Sequence, residues 1–427
     1  MRRGRCAPRA VRLPQGGRFG TSARKRFMDP PRTTLAHLAT AARRPPPGWG
    51  GRTARVGRAG RGRRCARPWP SSSPQPPDAD IGGSVIKRAL RWSWPVLSLI
   101  LPLLAIVLAS ESFGSVLIQR TVTDALILVV IVVGLYIFVG NSGIVSFGHI
   151  SFAGLAAYAT AWQTCCPMMK PITMNGLPAF LRDETYPILT SGIVSVIFAG
   201  AAALAIGLVL MRLSGLAAAI STLAALFIFN SIYANWDNVT MGRASIVGVP
   251  TFANAWWALG AVSAVIVIAY LYQISPYGLA IRAARDDEVA AQSSGVSLYW
   301  TRLFAFVLSG MVVGLGGFLQ VHFLGTVSIN AFFLGLTFIT LAMLVVGGMK
   351  SLAGAVFGAV IVSVIVHVFR RMEAGVSIGE ATLSIPAGTQ ELLLATLMLV
   401  ILIFRKDGIM GRREIRPPRF LLDGAEK

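Results

Sequence analysis

Ten apolar stretches, most about 18–25 residues long, dominate this chain and limit what it can fold into. They lie near 93–110, 121–139, 144–164, 187–210, 216–234, 254–274, 303–324, 331–348, 352–369 and 390–404. An uncharged run of that length matches the hydrocarbon thickness of a bilayer when it is helical. The run at 144–164 contains GIVSFGHISFAG and is polar enough to be re-entrant or broken. With 54% hydrophobic residues, 14% charged and a mean hydropathy of +0.64, there is too little polar surface to cover a soluble core. The expected fold is all-α, a polytopic integral membrane protein of about 8–10 transmembrane helices, with 86–413 as the membrane domain.

The net charge of +22 points at first to nucleic acid, but its location argues otherwise. Residues 1–80 hold 19 of the 40 Lys and Arg beside three acids, Asp29, Asp78 and Asp80, so they carry +16 of the total. This leader, residues 1–85, is rich in Arg, Pro and Gly and has no apolar periodicity, so it reads as disordered. Three explanations compete for it: an upstream start codon, a basic cytoplasmic tail on anionic lipid or nucleic acid, and an organellar transit peptide. Cys6, Cys65, Cys165 and Cys166 form neither a disulfide framework nor a metal motif.

Topology follows from Lys and Arg between the spans. With the N-terminus inside, fifteen bases of residues 81–427 face the cytoplasm and six the other side. The segment RAARDDEVAAQSSG (282–295) and the tail 414–427 then face inward. Gly310 with Gly314, and Gly354 with Gly358, form two GxxxG patterns expected to pack helices closely.

No nucleotide-binding loop, HExxH, GxSxG or paired intramembrane carboxylates occur, so enzymatic activity and any cofactor bound by this chain are not expected. The spans contain almost no ionisable groups, and His149, His322 and His367 each read singly as packing or interfacial residues. If the chain moves a solute, the energy comes from another chain. Within 282–295, Ala283, Ala284, Ala290 and Ala291 favour helix and Gly295 can end it. Such a helix suits a groove on a soluble partner; the alternative is a solvated loop that merely obeys topology.

Five segments, in order, resemble the LivM-type permeases of branched-chain amino acid ABC importers. NSGIVSFGHISFAGLAAY (141–158) is similar to that family's GHxxFxGxGAY segment. RLSGLAAAISTLA (212–224) and, following it, NWDNVTMGRASIVGVP (235–250) together resemble the next. YGLAIRAARDDEVAAQSSGVSLYWTRLFAFVLSGMVVGLGGFL (277–319) resembles its coupling loop and following helix. LVVGGMKSLAGAVFGAVIV (344–362) and FRKDGIMGRR (404–413) resemble its last two. The departures are Met241 and Arg243 around the expected Thr-Gly-Gly, Lys350 for Gly and Ala355 for Pro.

The resemblance implies an ATPase-coupling loop of the EAA type at Asp286, Asp287, Glu288, Ala290, Ala291 and Gly295, with its glutamate one position early. It also implies a second permease subunit, two ABC ATPase subunits and a periplasmic substrate-binding protein as partners, in a bacterial inner membrane. Leucine-type amino acids come first as substrate, ahead of urea, short amides or small carboxylates. Asn141, Ser146, His149 and Ser151 either line the translocation path or sit in a helix packed through Gly143, Gly148 and Gly154. A stand-alone secondary carrier and a membrane-embedded enzyme are the readings from other classes.

Overall fold

The spans become helices because nothing else satisfies backbone N–H and C=O groups in hydrocarbon. The structure, a computed structural model, describes residues 81–165, 168, 170–373, 376–378, 381–383, 386, 388–405 and 408–411. Residues 1–80, 414–427 and Cys166 lie outside the described residues. The helices belong to one unit, Asp78–Lys427.

In chain order the first seven helices are α1 (Ile81–Phe113), α2 (Val116–Ser142), α3 (His149–Thr164), α4 (Lys170–Thr173), α5 (Ala179–Arg182), α6 (Ile188–Leu210) and α7 (Gly215–Ala234). After the single turn α8 (Asp237–Thr240) come α9 (Ala255–Ile274), α10 (Pro276–Asp286) and α11 (Glu288–Ser293). Then follow α12 (Leu298–Leu324), α13 (Leu334–Gly347), α14 (Leu352–Glu373) and α15 (Thr389–Phe404). Each expected span overlaps one helix, although α3, α13 and α15 have fewer than 18 residues, and the leader boundary at 85/86 falls inside α1. Among the described residues eight helical stretches are long and apolar enough to cross a membrane, one of them α13 together with the 3-10 turn Ile329–Phe332 before it; α3 and α15, 16 residues each, are shorter.

The pattern of apolar residues decides which helices are central. Val129 to Val133 of α2 are all 0% exposed, as a helix hydrophobic on every side must be. α12 runs beside α2, α3 and α6. Gly310 and Gly314 let it approach α6: a Cβ there would stand 2.6 Å from the Ala203 Cβ and 2.7 Å from the Ala199 Cβ. Gly354 does the same for α14 against α13, where a Cβ would lie 2.7 Å from the Gly347 carbonyl oxygen. Both GxxxG patterns therefore pack helices. The apolar faces left outside, such as Ile193 and Ile197 on α6 and Leu216 and Ile220 on α7, are those a bilayer or a membrane partner would cover.

Two short antiparallel pairs stitch connections. Ile246 and Val247 (β1) pair with Val327 and Thr326 (β2), which ties the 235–254 segment to the end of α12. Residues 376–378 (β3) pair with 381–383 (β4) between α14 and α15.

Candidate functional site

The segment 275–302 starts with a strong helix signal. Ser275 caps α10, its Oγ accepting from the Gly278 N–H at 3.2 Å, and Pro276 occupies the first turn, where no N–H is needed. Ile281 and Ala284 are buried, while Arg282 donates from Nη2 to the Gln273 carbonyl at 2.6 Å.

Asp287 then divides what the sequence presents as a continuous helix. It is extended, with φ −152°, and its Oδ1 accepts from the Val289 and Ala290 N–H groups at 2.9 and 3.0 Å. It is thus the N-cap of a second helix, α11, and the alanines divide: Ala283 and Ala284 belong to α10, Ala290 and Ala291 to α11.

α11 ends in a Schellman motif. The Val296 N–H reaches the Ala291 carbonyl at 3.1 Å and the Gly295 N–H reaches Gln292 at 2.9 Å. Gly295 holds the left-handed conformation at φ +86°, and Val296 packs beside Ala291, Ala284 and Leu298. The glycine of the motif is therefore present for its backbone, since a Cβ there would meet nothing within 4 Å.

Two cationic side chains tie this segment to the buried helices. Arg302, in the second turn of α12 and 8% exposed, donates to the Glu288 carboxylate. Arg285 donates from Nη1 to the carbonyl oxygen of Gly140, near the end of α2, at 2.7 Å. The outer surface of α11 carries no such ties: Val289 is 76% exposed, and Asp286, Asp287 and Ala290 are exposed with it. Neither Arg285 nor Arg302 stands out in the sequence as more than a topological charge, because each partner lies in another helix.

The other candidates adjoin this end. α2 stops at Ser142 because Gly143 turns left-handed, φ +73°, and residues 143–148 are not helical before α3 begins at His149. The run at 144–164 is thus broken, not a single span. Asn141, Ser146, His149 and Ser151 are each 1% exposed. Asn141 Nδ2 donates to the Ile137 carbonyl at 3.0 Å, Ser151 Oγ to Gly148 at 2.5 Å, and Ser146 Oγ lies 2.6 Å from His149 Nδ1. The imidazole is enclosed by Phe138, Phe152 and Phe306, whose ring centroids stand 5.3, 5.8 and 4.8 Å away. The structure brings Ser146 to His149 and places Asn141 next to the Arg285 anchor.

The same end of the bundle also gathers the α13–α14 turn and the residues after α15. Ile409 and Met410 donate from their backbones to Val346 and Gly347, both at 3.0 Å. Several backbone turns therefore lie at the same end of the bundle as the short exposed helix α11.

A family described as "Branched-chain amino acid transport system / permease component" matches residues 117–402, from α2 to α15. The chain belongs to this family. Among its relatives, the high-affinity branched-chain amino acid transport system permease protein LivM of Salmonella typhimurium is 26% identical over 393 residues, covering 81% of this chain and 80% of its own. LivM of Escherichia coli is 25% identical, covering 71% of this chain and 72% of its own. A probable branched-chain amino acid transport permease protein LivH of Methanocaldococcus jannaschii is 27% identical over 56% of this chain and 75% of its own. No solved structure matches. The chain is thus a multi-pass membrane permease component, with α10 and α11 as polar elements at one end of its bundle.

Proposed function

We propose that this permease is a membrane-spanning subunit of a binding-protein-dependent importer of branched-chain amino acids in a bacterial inner membrane. Its partners are a second permease subunit, two ABC ATPase subunits at the α10–α11 end and a periplasmic binding protein at the other. Both termini lie in the cytoplasm, as the fifteen-to-six distribution of basic residues supports. The two LivM relatives, both branched-chain amino acid permeases, support the substrate class.

The observation that carries this reading is the pairing of an exposed helix with two internal anchors. α11 presents Val289 outward while Glu288 holds Arg302 of α12, and Arg285 holds Gly140 of α2. A push on α11 is then delivered to the two most buried spans as a rigid-body shift. Asn141, Ser146, His149 and Ser151 sit behind that contact. Their complete burial supports the close-packed alternative over a lining role, and cysteines at Ser146 and Ser151 that stay unlabelled in every transport state would agree.

The test uses the chain with its partner permease, ATPases and binding protein in proteoliposomes. Glu288→Ala should lower leucine uptake while ATP hydrolysis continues, and a cysteine at Val289 should cross-link to the ATPase. Leucine uptake by this chain alone without nucleotide, or labelling of that cysteine from the periplasmic side, would sink the proposal.

A further inference from the structure

At the end of the bundle away from α11, an acid in α2 meets a histidine in α14. His367 Nε2 lies 3.1 Å from Asp124 Oδ2, and Nδ1 of the same ring lies 2.8 Å from the Ser363 carbonyl. The sequence shows no such pair, because each residue stands alone in an apolar run. Intramembrane ionisable groups are rare enough that a mutual pair asks for a role. The two side chains border a cavity of about 290 Å³ between α2, α12, α13 and α14.

The walls of this cavity are of three kinds. Arg120 and Arg370 bring guanidinium groups, Leu128, Leu336 and Ile339 bring apolar surface, and Gln320 brings an amide. The Oε1 of Gln320 is buried with no hydrogen-bond partner among the described residues, which costs free energy unless a donor arrives. Asp124 meets His367 through Oδ2, which leaves Oδ1 free to accept a second donor. The cavity thus offers acceptors for a cation, guanidinium donors for an anion and an apolar wall, in a volume suited to a small molecule.

We propose that this cavity is a receiving site for the zwitterion of a small apolar α-amino acid. Asp124 and Gln320 take the ammonium group, Arg120 and Arg370 the carboxylate, and Leu128, Leu336 and Ile339 the side chain. His367, anchored to Ser363, is a positioning residue that fixes the Asp124 carboxylate. The proposal rests on the transport reading above and adds to it a place in this chain where the solute is recognised.

The experiment measures how fast an impermeant maleimide labels Leu117→Cys, at the cavity wall, in proteoliposomes holding the complete transporter. Leucine should slow labelling, while N-acetylleucine, which lacks the ammonium, and leucinamide, which lacks the carboxylate, should not. Asp124→Asn and the more exposed Arg370→Gln should each weaken leucine protection roughly tenfold to a hundredfold; the ligand comparison needs neither variant to fold. Labelling that ignores leucine while uptake proceeds overturns the site and leaves the transport reading standing. Protection that follows phosphatidylethanolamine in the vesicles and not leucine assigns the cavity to a lipid headgroup and overturns it too. A complete transporter that neither takes up leucine nor protects the cysteine overturns both.

Discussion

Arg285 donates from Nη1 to the backbone carbonyl of Gly140 across 2.7 Å, joining the last turn of α10 to the last turn of α2. Gly143 makes room for it: a Cβ there would lie 2.7 Å from the Arg285 Cγ. Along α2, sixteen residues separate Gly140 from Asp124, about 24 Å at the helical rise. One rigid helix therefore connects the exposed α11 end with the Asp124–His367 cavity.

Replacing Arg285 by Ala should remove a charge-assisted bond worth about 1.5–3 kcal/mol and lower leucine uptake more than ATP hydrolysis. Gly143→Ala should act in the same direction, since it forces a side chain into φ +73° and into the arginine stem. Parallel assays of uptake and hydrolysis in proteoliposomes check this. A proportional fall in both would mean that Arg285 only stabilises the fold.

The Asp287 cap gives a second test. Asp287→Ala should cost α11 about 1 kcal/mol and fray a helix of six residues. Asp287→Asn, whose side-chain oxygen can still accept from the Val289 and Ala290 N–H groups, should keep most of the wild-type uptake. If Asn behaves as badly as Ala, the charge and not the cap is what matters.

Gly295 separates space from conformation. Its surroundings are open, yet φ +86° costs an L-residue about 1–2 kcal/mol. Gly295→Leu should uncouple hydrolysis from uptake while insertion in the membrane persists, and Gly295→Asn, which tolerates the left-handed region, should be milder. Unimpaired uptake in the leucine variant would count against the role of the α11 cap.

The sequence placed the long helices well because a run of about twenty apolar residues has one stable backbone in lipid. It misjudged ends wherever a polar side chain had a distant partner. α12 starts at Leu298, five residues before the expected 303, because Arg302 is neutralised by Glu288 and need not stay in a loop. α3 starts at His149, not 144, because Gly143 and the short polar turn after it end the preceding helix. The break at Asp287 was legible in principle, since aspartate followed by Glu-Val-Ala-Ala is a capping sequence. The Asp124–His367 pair was not, because nothing in two separate apolar runs reveals that they face each other.

The departure from the family pattern at Met241 leads to the last prediction. Where the resemblance leads one to expect the first of two glycines, the structure holds Met241 at φ 58° and ψ 17°, followed by Gly242 at φ +57°. The backbone thus keeps a shape that glycine adopts freely, with a methionine in it. That conformation costs about 1–2 kcal/mol in an L-residue, offset in part by the packing of Met241 against the buried cluster that includes Val239. Met241→Gly releases the steric cost, loses that packing and adds about 0.5–1 kcal/mol of unfolded-state entropy. The terms nearly cancel, so the variant should change stability by about 1 kcal/mol or less, where a methionine truncated in an unstrained core loses about 2–5 kcal/mol. Thermal unfolding of the detergent-solubilised protein measures the difference. A loss above about 2 kcal/mol would mean that the packing of Met241 outweighs the strain released at 241 and would overturn the expected near-cancellation.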